Sequence, residues 1–295
     1  MTGPDLAVVV ASVNGLPYLA DCLGALERHC PAAEVIVADR TDATTRAYVR
    51  ERWPQVSLLS FDEELTVPQL RAAAIDEAKA SHVAVIEDHC LVGRDWAERI
   101  LVAHAEGHAV VGGAVRNGAT ARIRDWAAFL CEYSEHMDPV PDGPVPSLPG
   151  GNVSYDRRAL GAVDTLLRGG YWETWLHPRL QRDGFELWSD SGLVLDHVKD
   201  FGVREFASQR YHYARSHAGM LNPELGPRRV VHLFGSPLLP PVLYLRIARN
   251  VLKRRRHRRE LLAATPLLLV YLCIWAYGEA VGYSFGGGHS LLKVR

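Results

Sequence analysis

Four short apolar runs near the start of the chain alternate with stretches of helical periodicity, and this alternation constrains the fold more than any other feature. The runs are Ala7–Ser12, Glu34–Asp39, Val56–Phe61 and His82–Ile86. Between them, Tyr18–His29 sets Leu19, Cys22, Leu23 and Leu26 at helical spacing before Pro31, Arg46–Arg52 reads as helical, and Pro68–Ala80 is an Ala-rich helix. Strands that are apolar almost throughout are buried on both faces, and their alternation with helices implies βαβ units in a mostly parallel central sheet flanked by helices. Ligands in such α/β sheets bind at the carboxyl ends of the strands. Three polar clusters stand there: Ser12–Asn14, Asp39–Asp42 and Glu87–His89.

Further along, Trp96–Ala105 reads as a helix and Ala109–Val115 as a strand. The segment Asp138–Gly151 holds five prolines and three glycines, which excludes regular structure and suggests a loop over the active site. Tyr171–Arg182 is expected to be helical, Phe185–Trp188 and Leu193–Asp196 to be short strands, and Val203–His217 a helix.

Net charge is -1 over 295 residues, which argues against a nucleic-acid partner for the chain as a whole. Basic charge is local instead, with eight Lys or Arg and no acid between Arg246 and Arg259. The five cysteines are odd in number and scattered without a CxxC pair, as befits reduced thiols. The first apolar run is not preceded by a basic stretch and a secretory core, so the catalytic part is expected to remain cytoplasmic.

With acidic residues after the second and fourth strands, this order of elements resembles the GT-A fold of the family 2 glycosyltransferases over roughly Ala7 to Gly219. The first strand, with Ser12, Asn14 and Tyr18, is similar to the family opening, and Asp39 matches the acid that contacts the base or ribose of the nucleotide. Glu87-Asp88-His89 stands where the family has Asp-x-Asp. The resemblance implies a divalent cation, Mn²⁺ or Mg²⁺, held against the diphosphate of a nucleotide-sugar donor. A dianionic leaving group needs such a hard cation. Asp88 is the expected principal ligand, supported by Glu87 or His89, and a histidine in the set moves the preference from Mg²⁺ toward Mn²⁺. His197, just past a strand, resembles a late metal ligand of some relatives.

Gly150-Gly151-Asn152-Val153-Ser154 resembles the small-residue segment that approaches the donor sugar, which implicates Gly151 and Asn152. Glu173, followed by Thr174, Arg179 and Gly184, looks like the acidic-pair helix whose carboxylate deprotonates the acceptor hydroxyl in inverting transfer, although Thr174 replaces the second acid. Gln209–Arg215 resembles the Gln-x-x-Arg-Trp segment without its Trp, and Arg210 or Arg215 would face the diphosphate. Two alternatives remain open at this point: a silent scaffold of the same fold, suggested by His89 and Thr174, and a nucleotidyltransferase, whose basic Gly-rich loop Ser12–Gly15 lacks.

Composition separates a catalytic domain, 1–225, from a membrane-associating region, 226–295. There Leu238–Leu252 and Leu261–Tyr283 are apolar, and the basic cluster Lys253–Arg259 between them belongs on an anionic cytoplasmic leaflet. The second run is long enough to span a bilayer, yet Gly278, Glu279 and Gly282 interrupt it. Spanning, lying in the interface and burial inside a soluble unit all remain open. A membrane location would suit a lipid-linked or membrane-delivered hydroxyl acceptor.

Overall fold

A computed structural model describes residues 4–294. The apolar runs become β1 (Leu6–Ser12), β2 (Glu34–Asp39), β3 (Ser57–Ser60) and β4 (His82–Glu87), separated by helices α1 (Tyr18–His29), α2 (Ala43–Arg52) and α3 (Val67–Glu77). β1 is buried at every residue and pairs in parallel with β2 on one side and β4 on the other. Register places Ser12 beside Asp39 and Ala11 beside Glu87, so the polar strand ends form one row.

The chain continues through β5 (Cys90–Val92), α4 (Trp96–Ala105), β6 (Val110–Asn117), α5 (Ile123–Tyr133), β7 (Gly143–Pro144), β8 (Val153–Asp156), α6 (Arg157–Arg168), α7 (Glu173–Arg182) and β9 (Leu187–His197). All nine strands join one sheet in the order β3-β2-β1-β4-β8-β6-β9-β5, with β7 on β9. β8 is antiparallel to both neighbours, and it splits the sheet into a parallel half and a mixed half.

Alternate residues of β1, β2 and β4 (Val9, Ile36, Val85) pack in one core with Leu70 of α3, Val163 of α6 and Leu180 of α7. α3 begins at a capping box in which Thr66 N–H donates to Gln69 Oε1 at 2.8 Å and Gln69 N–H returns a bond to Thr66 Oγ1 at 3.3 Å. Asp156 caps α6 by accepting from Ala159 N–H at 2.7 Å. Each cap satisfies orphan backbone donors and contributes about 1 kcal/mol.

Several elements depart from the sequence reading. The two short strands around residues 185–196 are one bulged strand, β9, whose register against β6 jumps at Gly113 and Ala114. A Cβ on Gly113 would lie 1.9 Å from the Leu193 carbonyl oxygen, so only glycine permits that approach. The Pro-rich segment is not wholly loop, because β7 adds its two residues to β9. α5 and α6 were not anticipated, although Leu160, Val163 and Leu167 carry helical spacing.

After β9 the chain is helical: α8 (Val203–Leu225), α9 (Arg229–Gly235), α10 (Leu239–Arg254) and α11 (Arg258–Phe285). α8 thus runs well past His217. Packing divides the chain elsewhere than composition does. One compact unit runs to Gly118 and resumes over His136–Lys199; the other consists of Ala119–Glu135 and the chain from Asp200 onward. The second unit therefore contains α5 and α8 as well as α9 to α11. Within it, a Cβ on Gly278 or Gly282 would come 2.6 or 2.5 Å from carbonyl oxygens of Tyr211 and Arg215, so these glycines let α11 lie directly on α8. The stretches Val203–Arg254 and Arg258–Phe285 are each long and apolar enough to cross a membrane by length and composition.

Candidate metal and donor site

β4 ends at Glu87, and the turn that follows carries Asp88 and His89 before β5 pairs with β9. That pairing sets Cys90 opposite His197, so the last residue of β9 arrives beside the β4 turn. His89 Nε2 lies 2.9 Å from His197 Nε2 and 3.2 Å from Glu87 Oε2. The three ligand atoms lie within 4.8 Å of one another. Ligands about 2.1 Å from an octahedral ion stand about 3 Å apart, so this spacing suits one divalent cation.

Asp88 is not in that group. Its Oδ2 accepts the N–H groups of Val13, Asn14 and Gly15 at 2.9, 2.7 and 3.3 Å, and Oδ1 accepts Asn14 Nδ2 at 2.7 Å. The turn after β1 wraps the carboxylate in a nest of backbone donors, and Gly15 closes it at φ +67. Oδ1 also lies 2.9 Å from His89 Nδ1. The expected principal ligand is therefore a fully buried support for His89, and Glu87 takes the carboxylate place in the cluster. A carboxylate on Nδ1 fixes the ring and leaves Nε2 to face a metal.

Electrostatics follow from this packing. Burial pushes the Glu87 carboxyl up, but the His89 hydrogen bond and the His89 and Arg71 charges outweigh it and hold Glu87 below the usual carboxylate range. For His89, burial disfavours the cation, yet bonds to Asp88 and Glu87 raise it to about 9. His197, buried and facing His89, is lowered to about 3. The two shifts run in opposite directions, and the Nε2 to Nε2 distance fits one hydrogen bond in which one ring donates and the other accepts.

Glu173, in the first turn of α7, joins the site through a residue the sequence reading missed. Arg71 is 4% exposed; its Nη2 donates to Glu87 Oε1 at 3.0 Å and its Nη1 pairs with Glu173 Oε1. Gly150 makes room for this arrangement, because a Cβ there would stand 2.3 Å from Glu173 Oε2. Gly151 borders Glu87, whose carboxylate would be 3.5 Å from a Cβ on it. A signal existed: Arg71 falls at helical spacing among Val67, Ala74 and Ala78, on the buried face of α3. Lys199 was also missed. It is buried, and its Nζ donates to Asn14 Oδ1 at 2.6 Å.

The other residues singled out by the sequence have partners within the protein. Ser12 Oγ donates to Asp39 Oδ1 at 2.8 Å, and Asp39 also accepts from Thr41 Oγ1 at 2.7 Å and Arg46 Nε at 2.8 Å. Asn152 is fully buried; its Nδ2 donates to the carbonyls of Ala114 and Leu193, and its Oδ1 accepts from Trp96 Nε1. It fastens β6, β9 and α4, leaving no hydrogen-bonding face for a donor. Arg210 and Arg215 belong to the second unit, where Arg210 stacks 4.0 Å over Trp275 and Arg215 Nε donates to the Gly286 carbonyl at 3.1 Å. A separate open cleft of about 540 Å³, lined by Arg99, Asp142, Trp188 and Asp190 among others, shares no residue with the cluster.

Comparison with known proteins gives a consistent picture. A family model described as glycosyl transferase family 2 matches residues 7–163. No curated protein matches the chain. Among solved structures, the mannosyltransferase PcManGT from Pyrobaculum calidifontis, in complex with GDP-Man and Mn²⁺, is similar at a TM-score of 0.60 and 16% identity, covering 94% of this chain and 87% of that one. TarS 1–349 from S. aureus is similar at a TM-score of 0.50 and 13% identity, covering 96% and 92%. At such identities the two structures establish a shared fold.

Proposed function

The chain belongs to glycosyl transferase family 2 and is a glycosyltransferase, and from that premise we propose that it moves a sugar, with inversion, from a nucleotide-diphosphate donor to a hydroxyl on a membrane-delivered acceptor. The carrying observation is the convergence of Glu87, His89 and His197, with Glu173 tied to Glu87 through Arg71. Two imidazoles and one carboxylate suit a borderline cation such as Mn²⁺ better than Mg²⁺. A cation bound there would offset the charge that develops on the leaving diphosphate.

The chain's own residues would divide the remaining work. Asp88 holds the His89 ring so that Nε2 faces inward. Arg71 orients Glu87 and Glu173 from one rigid, planar guanidinium. Glu173 would accept the proton of the acceptor hydroxyl, which inverting transfer requires on the face opposite the leaving group. The row at Ser12 and Asp39 would receive the nucleoside, Gly150 and Gly151 would let backbone approach the sugar, and buried Lys199 would add positive potential near the phosphates. The helices beyond Asp200 would hold the enzyme on the cytoplasmic face of a membrane, where a lipid-linked acceptor would be met.

Nucleotide release from a panel of nucleotide sugars, measured in Mn²⁺, Mg²⁺ and EDTA, tests the reading. It is supported by turnover with at least one donor that EDTA abolishes and Mn²⁺ restores. Turnover unaffected by chelation would remove the metal, and absence of turnover with every donor and membrane lipid extract would remove the donor assignment.

A further inference from the structure

The helices of the second unit leave apolar stripes in solvent. Val231, Phe234 and Leu262 are 73, 78 and 77% exposed, and Phe285 is 80% exposed. From Leu238, just before α10, the exposed positions Leu238, Val242, Leu245 and Leu252 recur at helical spacing on one side, while Ile247 and Val251 are buried on the other. On α11, Leu262, Leu269, Cys273 and Tyr277 make a second stripe. A soluble protein scatters exposed apolar residues singly, and stripes of this length mark a partner.

Three observations choose the partner and its geometry. First, α10 and α11 form an antiparallel hairpin, with Tyr244 Oη 2.9 Å from Thr265 Oγ1, and at its tip Lys253, Arg255, Arg256, Arg258 and Arg259 are all exposed. Inserting the hairpin tip first would carry that charge across hydrocarbon. Second, α10 runs on from α9 without a break, and along both the exposed apolar residues Val231, Phe234, Leu238, Val242 and Leu245 recur three or four apart while Ile247 and Val251 are buried, the one-sided pattern of a helix lying in an interface. Third, the later half of α11 lies directly on α8 through Gly278 and Gly282, and α8 carries Arg204, Glu205, His212, Arg215 and Glu224. A spanning α11 would take those groups into the bilayer with it.

We propose that the second unit lies flat on one leaflet of an anionic bilayer, its apolar stripes at the acyl boundary and the Lys253–Arg259 turn among the headgroups, with neither α10 nor α11 crossing. This deepens the membrane reading above and rests on it, and two measurements separate them. Flotation of the full chain with phosphatidylcholine vesicles, alone or with equimolar phosphatidylglycerol, tests association. Strong binding to anionic vesicles is expected, weakened about 100-fold in Lys253→Gln/Arg258→Gln/Arg259→Gln with helix content unchanged by circular dichroism. Binding to neither vesicle would overturn the membrane reading itself, and equal binding to both would overturn the role of the basic turn. Shielding of Cys273 from a water-soluble maleimide is expected only when anionic vesicles are added. Shielding that rises with protein concentration alone would instead assign the face to a second copy. In cells expressing Cys273→Ser chains that carry Arg256→Cys or Lys293→Cys, a membrane-impermeant thiol reagent should label both positions in inverted membranes and neither from outside. Labelling of either from outside would show a crossing and overturn the one-leaflet placement.

Discussion

His89 and His197 face each other Nε2 to Nε2 at 2.9 Å across 108 residues of sequence, because β5 pairs Cys90 with His197 directly after the β4 turn. A short strand of three residues thereby completes the candidate ligand cluster that begins at the end of β4. The two carboxylates that precede His89 point to different places, Glu87 toward the Nε2 atom of His89 and Asp88 into the nest after β1.

That difference separates two variants. Glu87→Gln should remove a ligand, and Asp88→Asn should remove only the support for His89, weakening Mn²⁺ about 10- to 100-fold. Asp88→Asn should also lower the denaturation midpoint, since three backbone N–H groups lose their anionic acceptor. Mn²⁺ titration followed by electron paramagnetic resonance would check the order, and an Asp88→Asn chain binding as tightly as wild type would contradict it.

Glu173→Gln tests the base. The amide keeps the shape and loses the proton acceptor, so turnover should fall about 10²- to 10⁴-fold with donor affinity nearly unchanged. Lost donor affinity would make Glu173 a structural partner of Arg71 instead.

Gly150→Ala probes the same carboxylate from the backbone. The added methyl would sit 2.3 Å from Glu173 Oε2, so the carboxylate must move. A displacement of about 1 Å can cost about 100-fold in turnover. Unchanged kinetics in Gly150→Ala would mean that the position of Glu173 does not matter to the reaction.

Acid should destabilise the first unit through two histidines outside the cluster of Glu87, His89 and His197. Burial, with the His82 charge adding, lowers His104 to about 4, and burial lowers His177 to about 4. Both are neutral when folded. Above pH 6.5 neither state binds a proton there, so stability is flat. Below it the unfolded chain gains protons the folded chain refuses, and stability falls until pH reaches about 4, by at most roughly 3 kcal/mol per histidine. Urea midpoints from pH 7 to 4 should decline, with a shallower decline in His177→Gln; an equal slope would contradict the assignment.

Much of this was legible in the sequence. The apolar runs before Ser12, Asp39 and Glu87 form the parallel half of the sheet, and Glu87-Asp88-His89 contributes two residues of the candidate metal cluster. The choice between Glu87 and Asp88 was not legible, because it depends on where the β1 turn offers its N–H groups, 74 residues away at Asn14. The Arg71 to Glu173 pair spans 102 residues and Lys199 to Asn14 spans 185, and no local pattern encodes either separation. Asn152 misled for a related reason: its neighbours in sequence are turn residues, whereas its partners Trp96, Ala114 and Leu193 come from three other elements.

The most direct test of metal-assisted transfer at this cluster is donor turnover by His197→Ala measured across Mn²⁺ concentrations. This substitution removes one of three ligand atoms while leaving Asp88, Arg71 and Glu173 in place. The expected result is a Mn²⁺ requirement raised at least tenfold, with residual turnover restored at saturating Mn²⁺. A His197→Ala chain with the wild-type Mn²⁺ dependence would contradict the assignment of Glu87, His89 and His197 as the metal site.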